Sequence, residues 1–167
     1  MSQQWNMSGQ GNMSQGNDMA QQSNMSQQAY TIKDYGAVPV IFDMETMSKV
    51  NNTFRSALWT GTYMQLTVMS IQPGEDIGVE MHPDADQFFK IEEGDGLLAI
   101  GNSKDSLSFT QTVEDDDAII IPAGTWHNLS NTGDVPLKLY SIYAPPQHPY
   151  GTVHQTKADS DEAEAKY

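Results

Sequence analysis

The residues best suited to chemistry lie in two short stretches of the sequence. In GEDIGVEMHPDADQFFKIEEG, Glu80 and His82 are two positions apart, so on a β-strand both side chains point to the same side. The letters PDAD after them predict a turn, and Gln87 begins the next strand. In DDAIIIPAGTWHNLSN, His127 follows a Pro-x-Gly turn. Polar side chains that face the inside of a small barrel are costly to bury, and one divalent metal ion would satisfy them together.

A series of short strands would have to position these residues. We expect a first strand at Ala37–Phe42 and a short helix at Asp43–Val50. Strand-like runs of about four to ten residues follow, namely FRSALWT, TYMQLTVMSI, IGVEM, QFFKIEE, GLLAI, LSFTQT, AIII, TWHNL and PLKLYSIY. Segments rich in Gly, Pro and Asp separate these runs. The pattern predicts that residues 31–154 form an all-β sandwich or barrel.

Charge and composition exclude several classes of protein. The 167-residue chain has 22 Asp and Glu against 8 Lys and Arg, which gives a formal net charge of −14. Binding to nucleic acid or to an anionic membrane surface needs clustered basic residues, so we expect neither partner. No apolar run approaches the roughly 18 residues of a membrane span. The chain has no Cys, hence neither a disulfide nor a thiolate metal site, and this fits the reducing cytoplasm. Its length fits a single domain.

Both ends of the chain differ from the part between them. Residues 1–30 are rich in Gln, Asn and Ser, and Met recurs every six residues from Met1 to Met25. Such a segment does not bury enough apolar surface to fold alone, which predicts a flexible low-complexity tail. Alternatively it is an assembly arm, because in an extended chain a period of six places every Met on the same face. Residues 155–167 form a polar, acidic C-terminal tail that is expected to fray.

The two stretches resemble the paired motifs of the cupin superfamily. The first motif is G-(x)5-H-x-H-(x)3–4-E-(x)6-G, and its spacing is kept on Gly74, Glu80, His82, Gln87 and Gly94. The second motif is G-(x)5-P-x-G-(x)2-H-(x)3-N, and it is matched by Pro122, Gly124, His127 and Asn131, with Asp116 in place of its first Gly. The strand pattern and the closing LKLYSIYAPPQHPYGTVH extend the resemblance, to small single-domain bacterial cupins, over most of residues 31–160.

The resemblance implies a double-stranded β-helix, the jelly-roll barrel of cupins, with a divalent metal inside it. Cupins usually supply three His and one Glu, whereas the corresponding side chains here are Glu80, His82, Gln87 and His127. The number of ligands and the formal charge are both kept, because the carboxylate has moved to the first position and an amide takes its former place. Such a site suits Mn, Fe, Ni or Zn, and the loss of one imidazole shifts the preference toward manganese or iron.

Two alternatives concern the same residues. A small change of register would substitute Asp86 for Gln87. The barrel could also keep the remnant of a lost site, in which Glu80 and Gln87 hydrogen-bond to each other and to His82. An unpaired carboxylate inside an apolar barrel costs several kcal/mol or takes up a proton, so its presence favours a bound cation.

Two functions from different classes follow from the resemblance. The first is a metalloenzyme of isomerase, dioxygenase or lyase type, whose small-molecule ligand chelates the open metal positions. In that enzyme Glu80 could alternatively leave the metal and act as a general base. The second is a non-catalytic structural protein, in which the barrel forms a homodimer or larger homo-oligomer and residues 1–30 link these bodies into larger assemblies.

Three residues outside the motifs are further candidates. Arg55 is either an inward guanidinium that clamps a carboxylate substrate or a residue on the surface of a strand. His148 and His154 lie in the segment PPQHPYGTVH, which either folds over the mouth of the barrel as a lid or stays at the surface. No Gly-rich phosphate loop and no G-x-S-x-G elbow is present, so nucleotide-binding and serine-hydrolase functions lack support.

Overall fold

Two antiparallel sheets dominate the part of the chain that the computed structural model describes, residues 31–166. In chain order its elements are α1 (Met44–Val50), β1 (Arg55–Thr60), β2 (Gln65–Ile71), β3 (Asp86–Glu93), β4 (Gly96–Gly101), β5 (Phe109–Val113), β6 (Ala118–Ile121), β7 (Trp126–Asn131), β8 (Leu137–Ala144), β9 (Val153–His154) and α2 (Lys157–Glu164). The expectations for residues 1–30, a flexible tail or an assembly arm, lie outside the described residues. Within residues 31–166, no helix is long and apolar enough to cross a membrane.

The strand order is that of two sheets closed around one interior. The larger sheet has the order β6-β3-β8-β2-β1-β9, and the smaller sheet has the order β5-β4-β7. Beside β7, residues 76–80 extend the smaller sheet through the isolated bridges Asp76–Ser130 and Glu80–His127. All pairings between these strands are antiparallel. The predicted all-β double-stranded β-helix is therefore confirmed.

The interior between the sheets has an apolar end and a polar end. Along β8, Leu137 and Leu139 are fully buried in an apolar cluster to which both sheets contribute. Because side chains alternate along a strand, Ser141 and Tyr143 face the same interior, and both are fully buried. Tyr143 is paired with Gln87 of β3, so the neighbouring position at this level is polar as well. Each large side chain buried at the apolar end contributes about 1.5–3 kcal/mol to the stability of the fold.

Helix α1 covers the outer face of the larger sheet. Its Met47 is buried and belongs to an apolar cluster with Leu58, Leu66 and Val68 of β1 and β2. The predicted helix at Asp43–Val50 is confirmed, with Asp43 as the N-cap residue. The Asp43 side chain accepts a hydrogen bond from the backbone N–H three residues later at 3.1 Å, which satisfies one free donor of the first turn.

The strand predicted at Ala37–Phe42 is wrong. Residues 37–42 form no strand, and three apolar side chains of this run are exposed, Val38, Val40 and Ile41. Pro39 lies in the middle of the run and has no N–H to donate to a sheet ladder, which explains why the run stays unpaired. Phe42 still contributes to the fold, because it packs against the apolar cluster beneath α1.

The expectation that residues 155–167 fray is wrong for Lys157–Glu164, which form α2. A capping box begins this helix, because Thr156 Oγ accepts a hydrogen bond from the Asp159 N–H and the Asp159 side chain accepts one from the Thr156 N–H. The letters TKAD carry this signal with Asp in place of the usual Glu or Gln. Ser160 of α2 is almost fully buried and receives a hydrogen bond from β1, so the helix is tied to the barrel.

Four motif positions have a backbone with positive φ, Gly94 and Asp116 among them. Gly94 has a φ of +91° and Asp116 has a φ of +72°. Residues other than Gly rarely adopt this conformation, but Asp is among the more tolerant. Asp116, which stands where the second motif has Gly, therefore keeps a glycine-like turn, and its carboxylate accepts a hydrogen bond from Lys90 Nζ at 2.9 Å.

Gly94→Ala is expected to lower the free energy of unfolding by about 2 kcal/mol. The new Cβ would meet the Pro136 carbonyl oxygen at 3.1 Å, and this crowding adds to the strain of a positive φ. Gly74→Ala is the matched control, because Gly74 has a φ of +81° but a Cβ there would meet no described heavy atom within 4 Å. Urea unfolding measures both variants. If both variants lost the same free energy of unfolding, the contact with the Pro136 carbonyl oxygen would contribute nothing to the loss at Gly94.

Candidate metal centre

Glu80 and His127 lie opposite each other on adjacent segments of the smaller sheet. The Glu80 N–H donates to the His127 carbonyl oxygen at 3.0 Å, and the His127 N–H donates to the Glu80 carbonyl oxygen at 2.9 Å. In such an antiparallel pair both side chains lie on the same face of the sheet. Glu80 Oε1 is accordingly 3.3 Å from His127 Nε2, and the His127 side chain is fully buried. The register of the sheet thus places a carboxylate beside an imidazole.

His82 and Gln87 complete the group that the sequence predicts. His82 Nε2 lies 3.4 Å from Glu80 Oε1. Gln87 reaches in from β3 of the larger sheet, with its Oε1 2.9 Å from His127 Nε2 and its Nε2 3.5 Å from Glu80 Oε1. Among the described residues, Glu80, His82 and His127 offer ligand atoms that all lie within 4.8 Å of one another. The four side chains Glu80, His82, Gln87 and His127 are called the candidate centre below.

Asp86 does not belong to the candidate centre. Its side chain is exposed and accepts a hydrogen bond from the backbone N–H of Ala123 at 2.9 Å. Neighbouring positions of a strand point to opposite faces, so Asp86 and Gln87 cannot both face the interior. The alternative in which Asp86 replaces Gln87 is therefore wrong.

The orientation of His127 leaves Nε2 without a proton when the ring is neutral. Nδ1 lies 2.9 Å from the carbonyl oxygen of Thr125, which is an acceptor, so Nδ1 carries the hydrogen. Nε2 then presents its lone pair to two further acceptors, Gln87 Oε1 and Glu80 Oε1. A flip of the Gln87 side-chain amide would remove the contact between its oxygen and His127 Nε2. The same flip would place that oxygen against the Glu80 carboxylate. A cation among these atoms, or a second proton on His127, resolves the conflict.

The distances and the free lone pairs fit a metal ion. Neighbouring ligands of an octahedral metal lie roughly 3 Å apart when each bond is about 2.1 Å long. Contacts within the candidate centre run from 2.9 Å to 3.5 Å. His82 Nε2 is buried and makes no hydrogen bond within residues 31–166. A carbonyl oxygen that orients the far nitrogen of an imidazole, as Thr125 does for His127, is typical of metal-binding His.

Glu80 is held in its ionised form. Burial alone would raise its pKa, but contacts with His127 and His82 and the charge of Arg55 hold the pKa well below its usual range. For Arg55, burial alone would lower the pKa, but Tyr143 and Glu80 are among the groups that raise it above its ordinary value. The candidate centre therefore contains a permanent carboxylate next to two imidazoles, which is a donor set suited to a divalent cation.

A cavity of about 490 Å³ opens onto the candidate centre. Glu80 and His82 line it, together with side chains from the rest of the mouth that include Trp126, His148, His154 and Glu164. Its volume lies within the roughly 300–1,000 Å³ of small-molecule sites. The cavity can therefore admit a small ligand as far as the candidate centre.

The segment with His148 and His154 forms part of the cavity wall. Gln65 fixes its backbone, because Gln65 Nε2 donates to the His148 carbonyl oxygen at 2.9 Å and Gln65 Oε1 accepts from the His148 N–H at 3.0 Å. Burial and the charge of Arg55 lower the pKa of His148 to about 3, so its ring is neutral near pH 7. Both His148 and His154 line the cavity, whereas the action of this segment as a lid stays a prediction.

Arg55 lies inside the barrel wall. Its side chain is 0% exposed, so the alternative of a surface position is wrong. Arg55 Nη1 donates to Ser160 Oγ at 2.7 Å and lies 3.5 Å from Glu164 Oε1. Ser160 and Glu164 are absent from the site residues predicted above, and the capping box before α2 is the local signal that could have indicated the helix that carries them.

The part of the chain that holds the candidate centre matches a known protein family. The family model for the cupin domain matches residues 67–143, which include all four side chains of the centre. The uncharacterized protein YrkC of Bacillus subtilis is 59% identical over 133 residues, which cover 80% of this chain and 72% of that protein. The crystal structure of BH2720 from Bacillus halodurans is similar with a TM-score of 0.77 and 58% identity, over 78% of this chain and 99% of that chain.

Proposed function

This chain belongs to the cupin family, and from that premise we propose that it binds one divalent metal ion and acts on a small molecule that chelates this metal. The ligands of the metal are the four side chains of the candidate centre. One observation carries the proposal: the Nε2 of His127 faces two acceptor oxygens, Gln87 Oε1 and Glu80 Oε1, with no donor between them. A divalent cation satisfies all of these atoms at once.

The donor set favours a relatively hard metal. One carboxylate, one amide and two imidazoles suit manganese or iron better than a site with three imidazoles, and nickel and zinc remain compatible. These four protein ligands would hold the metal and would leave open positions for solvent or substrate. When bound, the metal supplies Lewis-acid or oxygen-activating chemistry, which is compatible with an isomerase, a dioxygenase or a lyase.

The protein side chains have separate tasks in such an enzyme. Glu80 has a pKa well below its usual range, which makes it a weak proton acceptor and favours a ligand role over that of general base. Thr125 holds His127 in the tautomer that points its Nε2 lone pair at the metal. The segment that contains His148 forms part of the cavity wall, and it would reduce the access of water to the metal.

Protein purified without chelator is expected to contain about one metal ion per chain, and His82→Ala is expected to lose it. His82 Nε2 makes no hydrogen bond among the described residues, and its 3.4 Å contact is with Glu80 of the same centre, so its removal deletes one ligand without unpairing a group outside the candidate centre. Elemental analysis provides the measurement, with reconstitution in Mn, Fe, Ni and Zn. His154→Ala is the control, because it removes an imidazole from the same cavity outside the candidate centre. Wild-type protein that takes up no metal would identify the centre as a hydrogen-bonded remnant.

A further inference from the structure

A buried guanidinium near the candidate centre is only partly used. An Arg side chain has five N–H donors. Arg55 Nη1 donates to Ser160 Oγ at 2.7 Å, whereas Arg55 Nε and Nη2 are buried and make no hydrogen bond within the described chain. Leaving buried donors of a charged group unpaired is costly, and native proteins seldom do so without a ligand. Arg55 is therefore equipped to bind an anion.

The present neighbour of this guanidinium is a carboxylate from α2. Glu164 Oε1 lies 3.5 Å from Arg55 Nη1, which is long compared with the roughly 2.7–2.9 Å of a strong charge-assisted hydrogen bond. The Glu164 side chain is 49% exposed, and it lines the same cavity as Glu80 and His82. A carboxylate of a ligand in this cavity can therefore compete with Glu164 for Arg55.

Helix α2 is held by shorter contacts at its first turn than at its last. Besides the capping box, Lys157 Nζ lies 3.3 Å from Asp76 of the segment that leads to Glu80. Glu164 is the last residue of the helix, and its contacts are the long one with Arg55 and a 3.4 Å hydrogen bond from Ser160 Oγ. The Glu164 side chain can consequently swing away while the start of α2 stays in place.

The charges of the loaded site also favour an anion. A divalent metal with Glu80 as its single charged ligand leaves a net charge of about +1, and Arg55 adds another positive charge nearby. Glu164 offsets part of this charge only while it points at Arg55. A small molecule with two oxygen groups, at least one of them a carboxylate, matches both positive centres.

We propose that this site takes a small carboxylic acid with a second oxygen group, and that its carboxylate replaces Glu164 on Arg55 while the second group reaches the metal. The last turn of α2 is thus a self-supplied occupant of the substrate's carboxylate position. This proposal rests on the proposed function, because the second group needs the metal.

Binding of succinate to the metal-loaded full chain tests this inference. Succinate is expected to bind at least about tenfold more tightly to Glu164→Gln than to wild type, because the competing carboxylate is gone. Glu162→Gln is the matched control: it removes the same charge from the same helix, at an exposed residue whose partner is Lys166. Its effect on the Kd is expected to be less than about twofold. Titration calorimetry gives the Kd, and succinamate, which lacks one of the two carboxylates, is expected to bind about tenfold more weakly than succinate to Glu164→Gln.

Three results separate the possible failures. If Glu164→Gln and Glu162→Gln bind succinate equally, or if neither wild type nor Glu164→Gln binds it, the inference is overturned. If Glu164→Gln only lowers the melting temperature, Glu164 is an anchor of α2 and the inference is likewise overturned. Elemental analysis of every sample tests the proposed function independently, because neither Glu164 nor Glu162 belongs to the candidate centre. Arg55→Met is a supplementary variant, expected to lose the preference for succinate over succinamate, and the conclusion does not depend on its folding.

Discussion

Glu80→Gln should weaken the binding of a divalent metal at least about 100-fold while the barrel stays folded. Loss of a residue that merely orients a ligand already costs about 10- to 100-fold in affinity, so loss of the single charged ligand should cost no less. The amide keeps the shape of the carboxylate, and the backbone pairing of Glu80 with His127 does not involve the side chain. Competition with a chromophoric chelator measures the affinity, and circular dichroism verifies the fold.

Asp84→Asn is the matched control for Glu80→Gln. Asp84 is an exposed carboxylate in the turn that follows His82, so its substitution removes the same charge close by without touching the candidate centre. Metal affinity in this control should change less than about twofold, because exposed charges are strongly screened. If Glu80→Gln bound metal as tightly as Asp84→Asn, Glu80 would not be a ligand.

Phe89→Ala should lower the free energy of unfolding by about 3–5 kcal/mol, the usual range for an aromatic residue removed from a core. Phe89 is fully buried in the apolar cluster shared by both sheets, and its ring centroid lies 6.1 Å from that of His127. The cavity created would therefore lie directly beside the candidate centre. Urea unfolding measures the loss, and we expect His127 to gain freedom that also weakens metal binding.

Phe88→Ala is the control in the neighbouring position of β3. Phe88 is only partly buried and faces the other side of the sheet, near Tyr140 at a centroid distance of 6.1 Å. Its removal should cost clearly less than that of Phe89, since less apolar surface leaves contact with the protein. Similar losses in the two variants would contradict the division of β3 into an inner and an outer face.

The barrel and the candidate centre are predictable from the sequence because their signals are local. The turn residues around Gly94 and Asp116 set where strands end. The strand predicted at IGVEM is wrong, because residues 77–81 lie in no strand and Glu80 forms only an isolated bridge, but Glu80 and His82 still approach each other to 3.4 Å. The motif spacing then identifies Gln87 and His127 as the partners. These residues converge in the structure, although their role as metal ligands stays a prediction.

Other features could not be predicted because they depend on contacts between distant parts of the chain. The run Ala37–Phe42 is apolar throughout, like a buried strand, but no neighbouring strand pairs with it and Pro39 removes a donor. The acidic composition of residues 155–167 suggested fraying, whereas Ser160 is buried through its contact with Arg55 at the start of β1. Burial of Arg55 depends on that same contact, so neither partner was identifiable without the other.

The division of the interior into an apolar and a polar end has a consequence for the evolution of this protein. Leu137 and Leu139 serve stability, whereas Ser141 and Tyr143, on the same strand, contact Gln87 and His82 of the candidate centre. Mutations can therefore accumulate at one end of β8 under selection for a new reaction while the other end preserves the scaffold. Descendants of one ancestral barrel can diverge in chemistry long before they diverge in shape.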